Sequence, residues 1–252
     1  MKISFKILIS GLIALLIVFI FIMAYLYKNE DLPSYSHNKY AVYGNGIKQI
    51  RTVTVKPFKE LIVQKGINLY IEQGNKYDMR IEADSNIIDC IKIENNDDFL
   101  KIETNCNIKK SEWFKIYLTI QEIERMTSTA GSIITTKGIM SGDTLSINAS
   151  AGSILNLNLN FKKFIVQADA GVILNFDGNV DYSDFYISSG SVLNAKNLNS
   201  NNTKIIASSG AVASFGNIGF FDIDASSGAV ISYKSGKANF LKVDEGAILK
   251  NQ

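Results

Sequence analysis

Seven short segments decide the fold: Thr129-Ala130-Gly131-Ser132-Ile133, Ser150-Ala151-Gly152-Ser153-Ile154, Asp169-Ala170-Gly171-Val172-Ile173, Ser188-Ser189-Gly190-Ser191-Val192, Ser208-Ser209-Gly210-Ala211-Val212, Ser226-Ser227-Gly228-Ala229-Val230 and Asp244-Glu245-Gly246-Ala247-Ile248. Their glycines stand 18 to 21 residues apart. That period is too short for helical-pair repeats and lacks the leucine-rich signature, but it suits one coil of a β-solenoid. The residue two after each glycine is always Ile or Val. Five before it stand Met126, Ile147, Val166, Phe185, Ile205, Ile223 and Leu241, and three before it Ser128, Ala149, Ala168, Ile187, Ala207, Ala225 and Val243. We read these as inward positions of strands whose coil turns a corner at Gly131, Gly152, Gly171, Gly190, Gly210, Gly228 and Gly246.

Stacking explains the restriction. In a solenoid, equivalent residues lie about 4.8 Å apart, so each side chain must fit its own copies above and below. Glycine recurs where the corner needs backbone freedom, and Ser or Ala flanks it where space is small. Four residues after the glycine, Asn156, Asn175 and Asn194 follow in successive coils. They are expected to form an asparagine ladder, a structural device rather than a ligand contact. The first and last repeats are irregular, as capping coils are.

Upstream, apolar residues alternate with period two: Leu61, Val63; Ile67, Leu69, Ile71; Ile91, Ile93; Leu100, Ile102; Phe114, Ile116, Leu118, Ile120. This is the strand signal. Asn95-Asn96-Asp97-Asp98 reads as a hairpin turn, because Asn and Asp tolerate left-handed backbone. The expected fold is all-β: a single-stranded right-handed β-helix of about seven coils over 126–252, preceded by antiparallel strands over 43–125.

The first 28 residues differ in kind. From Ile7 to Tyr27 no residue is charged, and such a run, at about 1.5 Å per residue, spans the roughly 30 Å core of a bilayer. Lys2 and Lys6 precede it, while Glu30 and Asp31 closely follow it, so the positive-inside bias keeps the N-terminus cytoplasmic and exports the rest. Met23-Ala24-Tyr25-Leu26-Tyr27 offers no small-x-small cleavage site, which favours an uncleaved transmembrane signal anchor over 1–28. Residues 29–42 are polar, without periodicity, and read as a juxtamembrane linker containing His37. The C-terminal domain is then periplasmic or extracellular, with the membrane, through residues 7–27, as its first partner.

Charge and composition narrow the function. Past Lys28, 23 basic side chains face 24 acidic ones, so binding of nucleic acid by bulk charge is not expected. A single histidine and two cysteines exclude a multi-histidine metal site and a zinc module, and no cofactor or metal is expected. Cys90 and Cys106 bracket the hairpin region. Pairing as a disulfide and burial as separate small hydrophobes both fit them.

At this point the chain resembles a bacterial family, the head GIN domain proteins, described as auto-transporter adhesins and as a domain of unknown function. The name motif stands at Gly66-Ile67-Asn68, after Gly44-Asn45-Gly46 and a strand from Phe58 through Val63, and before Leu69-Tyr70-Ile71 and Gln73-Gly74. The serial Ser-Gly motifs and the closing Ile231-Ser232-Tyr233-Lys234-Ser235-Gly236 also look like the family, so the resemblance covers about residues 43–252. It implies a β-helical fold and an adhesin-like role, and it carries over no catalytic or binding residue. One departure is the transmembrane anchor, where a cleaved or lipoprotein signal is expected.

β-helices include polysaccharide lyases and hydrolases, so an enzyme is one reading of the fold. Lyase chemistry needs a strong base beside a carboxylate cluster that holds Ca²⁺. The arginines, Arg51, Arg80 and Arg125, all precede the repeats, and the repeat acids recur at no common pair of positions. Asp177, Asp181 and Asp184 are close in sequence, but read as a solvated loop rather than a calcium site. Trp113 and the pairs Phe185-Tyr186 and Phe220-Phe221 are the aromatic candidates for a sugar, since one of each pair must point outward. The expectation is a non-catalytic binding, adhesion or envelope scaffolding module for a glycan or an envelope protein, with oligomerisation left open. The alternatives are a carbohydrate-active β-helix enzyme and an envelope sensor or assembly factor.

Overall fold

A computed structural model describes residues 41–244 and 246–251. The anchor expected over 1–28, His37 and nearly all of the linker expected over 29–42 lie outside them. The strands are β1 (Ala41–Tyr43), β2 (Lys48–Thr54), β3 (Glu60–Val63), β4 (Asn68–Gln73), β5 (Asp78–Asp84), β6 (Ile91–Asn95), β7 (Phe99–Thr104), β8 (Asn107–Lys110), β9 (Phe114–Ile120), β10 (Arg125–Ser128), β11 (Ile133–Thr136), β12 (Met140–Ser150), β13 (Ile154–Asp169), β14 (Ile173–Ile187), β15 (Val192–Ala207), β16 (Val212–Ala225), β17 (Val230–Val243) and β18 (Ile248–Asn251). β1 thus begins inside the expected linker. A single 3-10 turn, Ile88–Cys90, interrupts them, and among the described residues no helix is long and apolar enough to cross a membrane.

From β12 to β18 each coil pairs in parallel with the next, in register on both sides of the corner, with shifts confined to Asn175–Asp177, Ala195–Ser200 and Asn217–Asp222. The corners carry two consecutive left-handed residues, for example Ala151 (φ 52°) and Gly152 (φ 70°), or Ser189 (φ 52°) and Gly190 (φ 70°). Nothing lies within 4 Å of where a Cβ would stand on the corner glycines from Gly131 to Gly228. Glycine is therefore favoured there for its backbone angle rather than for space, and the residue before it, Ala or Ser from Ala130 to Ser227, carries the left-handed angle with a Cβ in place. The corners also bond to one another: the N–H of Gly131 donates to the carbonyl of Ala151, Gly152 to Ala170, Gly171 to Ser189, Gly190 to Ser209 and Gly210 to Ser227, all at 3.0 to 3.1 Å.

The residues five and three before each glycine are buried up to Ile223 and Ala225, whereas in the last coil Leu241 and Val243 remain 50% and 38% exposed. The Ile or Val two after the glycine is not inward. Ile173, Val192, Val212 and Ile248 are 38% to 46% exposed, and the buried residues are those one and three after. Alternation dictates this: the outward column is β-branched because such side chains stack well on a pleated surface. The inward position right after the glycine is narrow. Ser132 and Ser153 fill it and satisfy their buried hydroxyls on backbone carbonyls, those of Val63 and Thr129 for Ser132 and that of Ser128 for Ser153, at 2.9 to 3.1 Å. Deeper in the coil, Phe164 meets Phe176 and Phe185 edge-on, and Phe185 meets Phe215, with centroids 5.0 to 5.9 Å apart.

The region before the repeats is mixed rather than antiparallel. β3 pairs in parallel with β7 and β10, and β4 with β9 and β11, while β2–β5, β5–β9 and β6–β7 are antiparallel. β3 and β4 are in fact a further coil. Lys65 (φ 59°) and Gly66 (φ 73°) repeat the corner, and the N–H of Gly66 donates to Ala130 at 3.0 Å. Leu61 and Val63 stand five and three before Gly66, as in every later coil, but the insertion of β5 to β9 separates this corner from Gly131. The insertion ends the parallel stack with antiparallel edges, which do not invite another coil. Asp84, fully buried within it, accepts hydrogen bonds from the Ser111 hydroxyl and the Glu112 N–H, and its carboxylate fills the space beside Gly44, where a Cβ would stand 1.9 Å from Oδ2. Cys90 and Cys106 are joined by a disulfide, their Cα atoms 5.4 Å apart, which ties the 3-10 turn to the β7–β8 link.

Gly190→Ala, in open space, should cost about 1 to 2 kcal/mol for its left-handed backbone. Gly178→Ala, whose Cβ would lie 2.0 Å from the Leu159 carbonyl oxygen, should cost at least twice as much or prevent folding. Urea unfolding of the purified variants measures both. Replacing Cys90 and Cys106 together with Ala opens a link of sequence separation 16 and should lower unfolding free energy by about 3 kcal/mol, an effect that a reductant reproduces in the parent protein.

Candidate functional site

Strands that pair in register line up their outward side chains in columns. Before the corner, one column runs Thr127, Asn148, Gln167, Tyr186 and Ile206 across β10, β12, β13, β14 and β15. The next column, two residues closer to the corner, carries Thr129, Ser150, Asp169, Ser188 and Ser208. Between and around them lies an open groove of about 470 Å³. Its floor is the small inward residues Ala149 and Ala168 with Ile187, and its walls are hydroxyls, two carboxamides, one carboxylate, one phenol ring and the Ile206 side chain.

Asp169 is the charge in this groove. The Ser188 hydroxyl donates to its Oδ1 at 2.9 Å, and the Ser189 hydroxyl also holds it. These hydroxyl bonds, Ser189's first, keep the carboxyl below the usual aspartate range against a smaller opposing desolvation. The groove therefore presents a fixed anion rather than a proton donor, because a general acid needs the opposite shift. Tyr186 stands half-buried with the Lys204 ammonium 5.7 Å from its ring centre, at the long end of cation–π contact.

The other sequence candidates fall elsewhere. Asn175 donates to Asn156 at 2.8 Å, Asn194 to Asn175 at 3.5 Å, and Asn156 to the Thr135 hydroxyl at 3.3 Å, so this ladder lies on the strands after the corner and is used up within itself. The ladder principle extends to Asn179 with Asn199, and to Asp181 with Asn201. Of the aromatic pairs, Phe185 and Phe221 are buried, while Tyr186 and Phe220 face out. Trp113 is half-buried with the Lys48 ammonium 4.5 Å from its ring. Asp177, Asp181 and Asp184 are not brought together, and among the described residues no group of three His, Cys, Asp or Glu is placed to hold a metal ion. The groove itself was missed from sequence. Its signal lies in the outward residues, which two before the glycine are polar in every coil and four before it in all but the coil of Ile206.

Residues 57–236 match the family model described as "Putative auto-transporter adhesin, head GIN domain". The chain belongs to this family. Solved structures share the fold of this head GIN domain at low identity. A "putative adhesin" from Bacteroides fragilis is 18% identical, with a TM-score of 0.77 over 84% of this chain and 100% of that one. A "putative lipid binding protein" from Parabacteroides distasonis is 15% identical, with a TM-score of 0.67 over 84% and 100%. A "putative adhesin" from Parabacteroides merdae is 15% identical, with a TM-score of 0.62 over 84% and 99%. Among curated proteins, no relative matches in sequence.

The lowered Asp169 pKa has a measurable consequence. The stability it contributes is present above the ordinary aspartate range and is lost as pH falls through its lowered folded value. A carboxyl-carbon NMR titration should place its midpoint below that of an ordinary aspartate, and Ser188→Ala combined with Ser189→Ala should move it back up. An unchanged midpoint would show that the hydroxyls do not hold the carboxylate.

Proposed function

We propose that this head GIN domain is a non-catalytic binding module, displayed outside the cytoplasmic membrane on the anchor read at residues 7–27, and that it serves adhesion by holding a glycan in the groove beside Tyr186. The observation that carries the reading is the groove's lining: one aromatic ring above a floor of small residues, ringed by the Asn148 and Gln167 carboxamides, the Ser150, Ser188 and Ser208 hydroxyls and the Asp169 carboxylate. Sugars offer an apolar ring face bordered by hydroxyls that both donate and accept, and this set supplies partners for each. The groove is open and built on strands of a rigid sheet, which suits holding a chain more than enclosing a reaction. Its one carboxyl, that of Asp169, has its pKa lowered by the Ser189 and Ser188 hydroxyls and is so held ionised, which supports binding over glycosidase chemistry, where one acid of the pair must stay protonated. The disulfide supports an oxidising address, since such bonds persist in exported proteins and are rare in the cytosol.

The test is a glycan array probed with the purified protein, followed by solution affinity for the glycans retained. Tyr186→Ala should weaken binding roughly tenfold or more, as truncation of a central aromatic contact does. Retention of no glycan, or equal affinity in the variant, would contradict the reading. Protease shaving of intact cells decides the address: cleavage of the domain supports surface adhesion, whereas protection until an outer membrane is opened would restrict its ligand to the periplasm.

A further inference from the structure

The outward face of β14 to β16 continues beyond the groove. Along β14, Tyr182 and Asp184 precede Tyr186 at alternate positions and so share its face. Across the strands Tyr182 pairs with Asn202 and Asn202 with Phe220, while Asp184 pairs with Lys204 and Lys204 with Asp222. These residues line a second hollow of about 200 Å³. Tyr182 is 59% exposed and Phe220 44%, a high exposure for two aromatic rings two coils apart on one face.

Spacing connects the two sites. Tyr186 lies four residues from Tyr182 on one strand, roughly 13 Å, and Tyr182 lies two coils from Phe220, roughly 10 Å. The rings are too far apart to serve one monosaccharide, and Asp184 and Lys204, on the strip between them, offer hydrogen-bonding groups along the way. Charge selects among chains. The linings of groove and hollow hold the carboxylates of Asp169, Asp184 and Asp222 and the ammonium of Lys204, and at the rim the exposed Lys163 and Lys237 pair with Tyr182 and Phe220, so the face carries three acids and three lysines. A face so balanced offers a polyanion such as a uronate chain no net attraction, whereas a neutral chain would find aromatic rings flanked by carboxylate acceptors for its hydroxyls.

We propose that the groove and the hollow are two subsites for one uncharged polysaccharide chain, Tyr186 stacking on one of its sugars and Tyr182 with Phe220 on another. This inference rests on the glycan reading above and deepens it. It is tested by calorimetry with unbranched neutral oligomers of glucose, mannose and N-acetylglucosamine, from disaccharides to octasaccharides, beside oligogalacturonates of the same lengths. For at least one neutral series, affinity should rise roughly tenfold once the oligomer is long enough to reach both subsites. Tyr182→Ala combined with Phe220→Ala should abolish that rise and leave the short oligomers unchanged, while Tyr186→Ala weakens short and long alike. Both aromatic truncations are at exposed positions, and unchanged melting midpoints should confirm that the variants are folded. Binding that depends on Tyr186 but not on length, equal loss of short oligomers in the double variant, or tighter binding of galacturonates would overturn the two-subsite proposal while leaving the groove reading standing. Binding of no oligomer at all would overturn both.

Discussion

The corner is the constraint on which the rest depends. At each turn two successive residues take left-handed backbone angles, and the glycine N–H of one coil donates to the carbonyl of the left-handed residue before the glycine in the next. A coil that slipped by one residue would lose this bond and put a side-chain-bearing residue at the glycine's angle, and it would turn its core outward as well. The corner ladder therefore sets register once per coil, and the parallel pairing of the long strands follows from it.

Register is what turns a repetitive core into a specific outer face. Inside, the columns need only small or apolar residues that fit their own copies, which explains both the serines under the corner and the edge-on phenylalanines. Outside, nothing forces one column to resemble another. After the corner the columns are more uniform: β-branched residues in one, and in the next the amides of Asn156, Asn175 and Asn194 and the hydroxyls of Ser214 and Ser232, bonded to one another along the stack. Before the corner they vary from coil to coil, with amides, hydroxyls, acids and aromatics set at fixed spacings. A face whose side chains are less fully consumed by their own stack is freer to recognise something else, and that asymmetry is the reason the proposed ligand is assigned to the strands before the corner.

Much of this was legible in the chain. The glycine period gives the coil, and alternation gives the strands from Leu61 to Ile120. The hairpin at Asn95 to Asp98 forms as its turn residues require, with β6 and β7 antiparallel on either side. The Ile/Val column two after the glycine misled, because regular recurrence of apolar residues suggests a core, yet recurrence in a stack follows from self-fit as readily as from burial. The coil at Gly66 was hidden by the strands inserted after it, which break the period although Leu61, Val63 and Gly66 keep the local pattern. The groove was hidden for a different reason: its residues share no type, and only the lateral pairing of Asn148, Gln167 and Tyr186 brings them side by side.

The most direct measurement is a ¹H–¹⁵N NMR titration of the labelled protein with a neutral oligosaccharide retained on an array, following backbone amides along the whole stack. The account predicts shifts confined to the strands before the corner, centred on Asn148, Gln167, Asp169 and Tyr186 and extending to Tyr182 and Phe220, with the amides around Ile173, Asn175 and Val192 unmoved. Shifts centred on those last residues, after the corner, would contradict it.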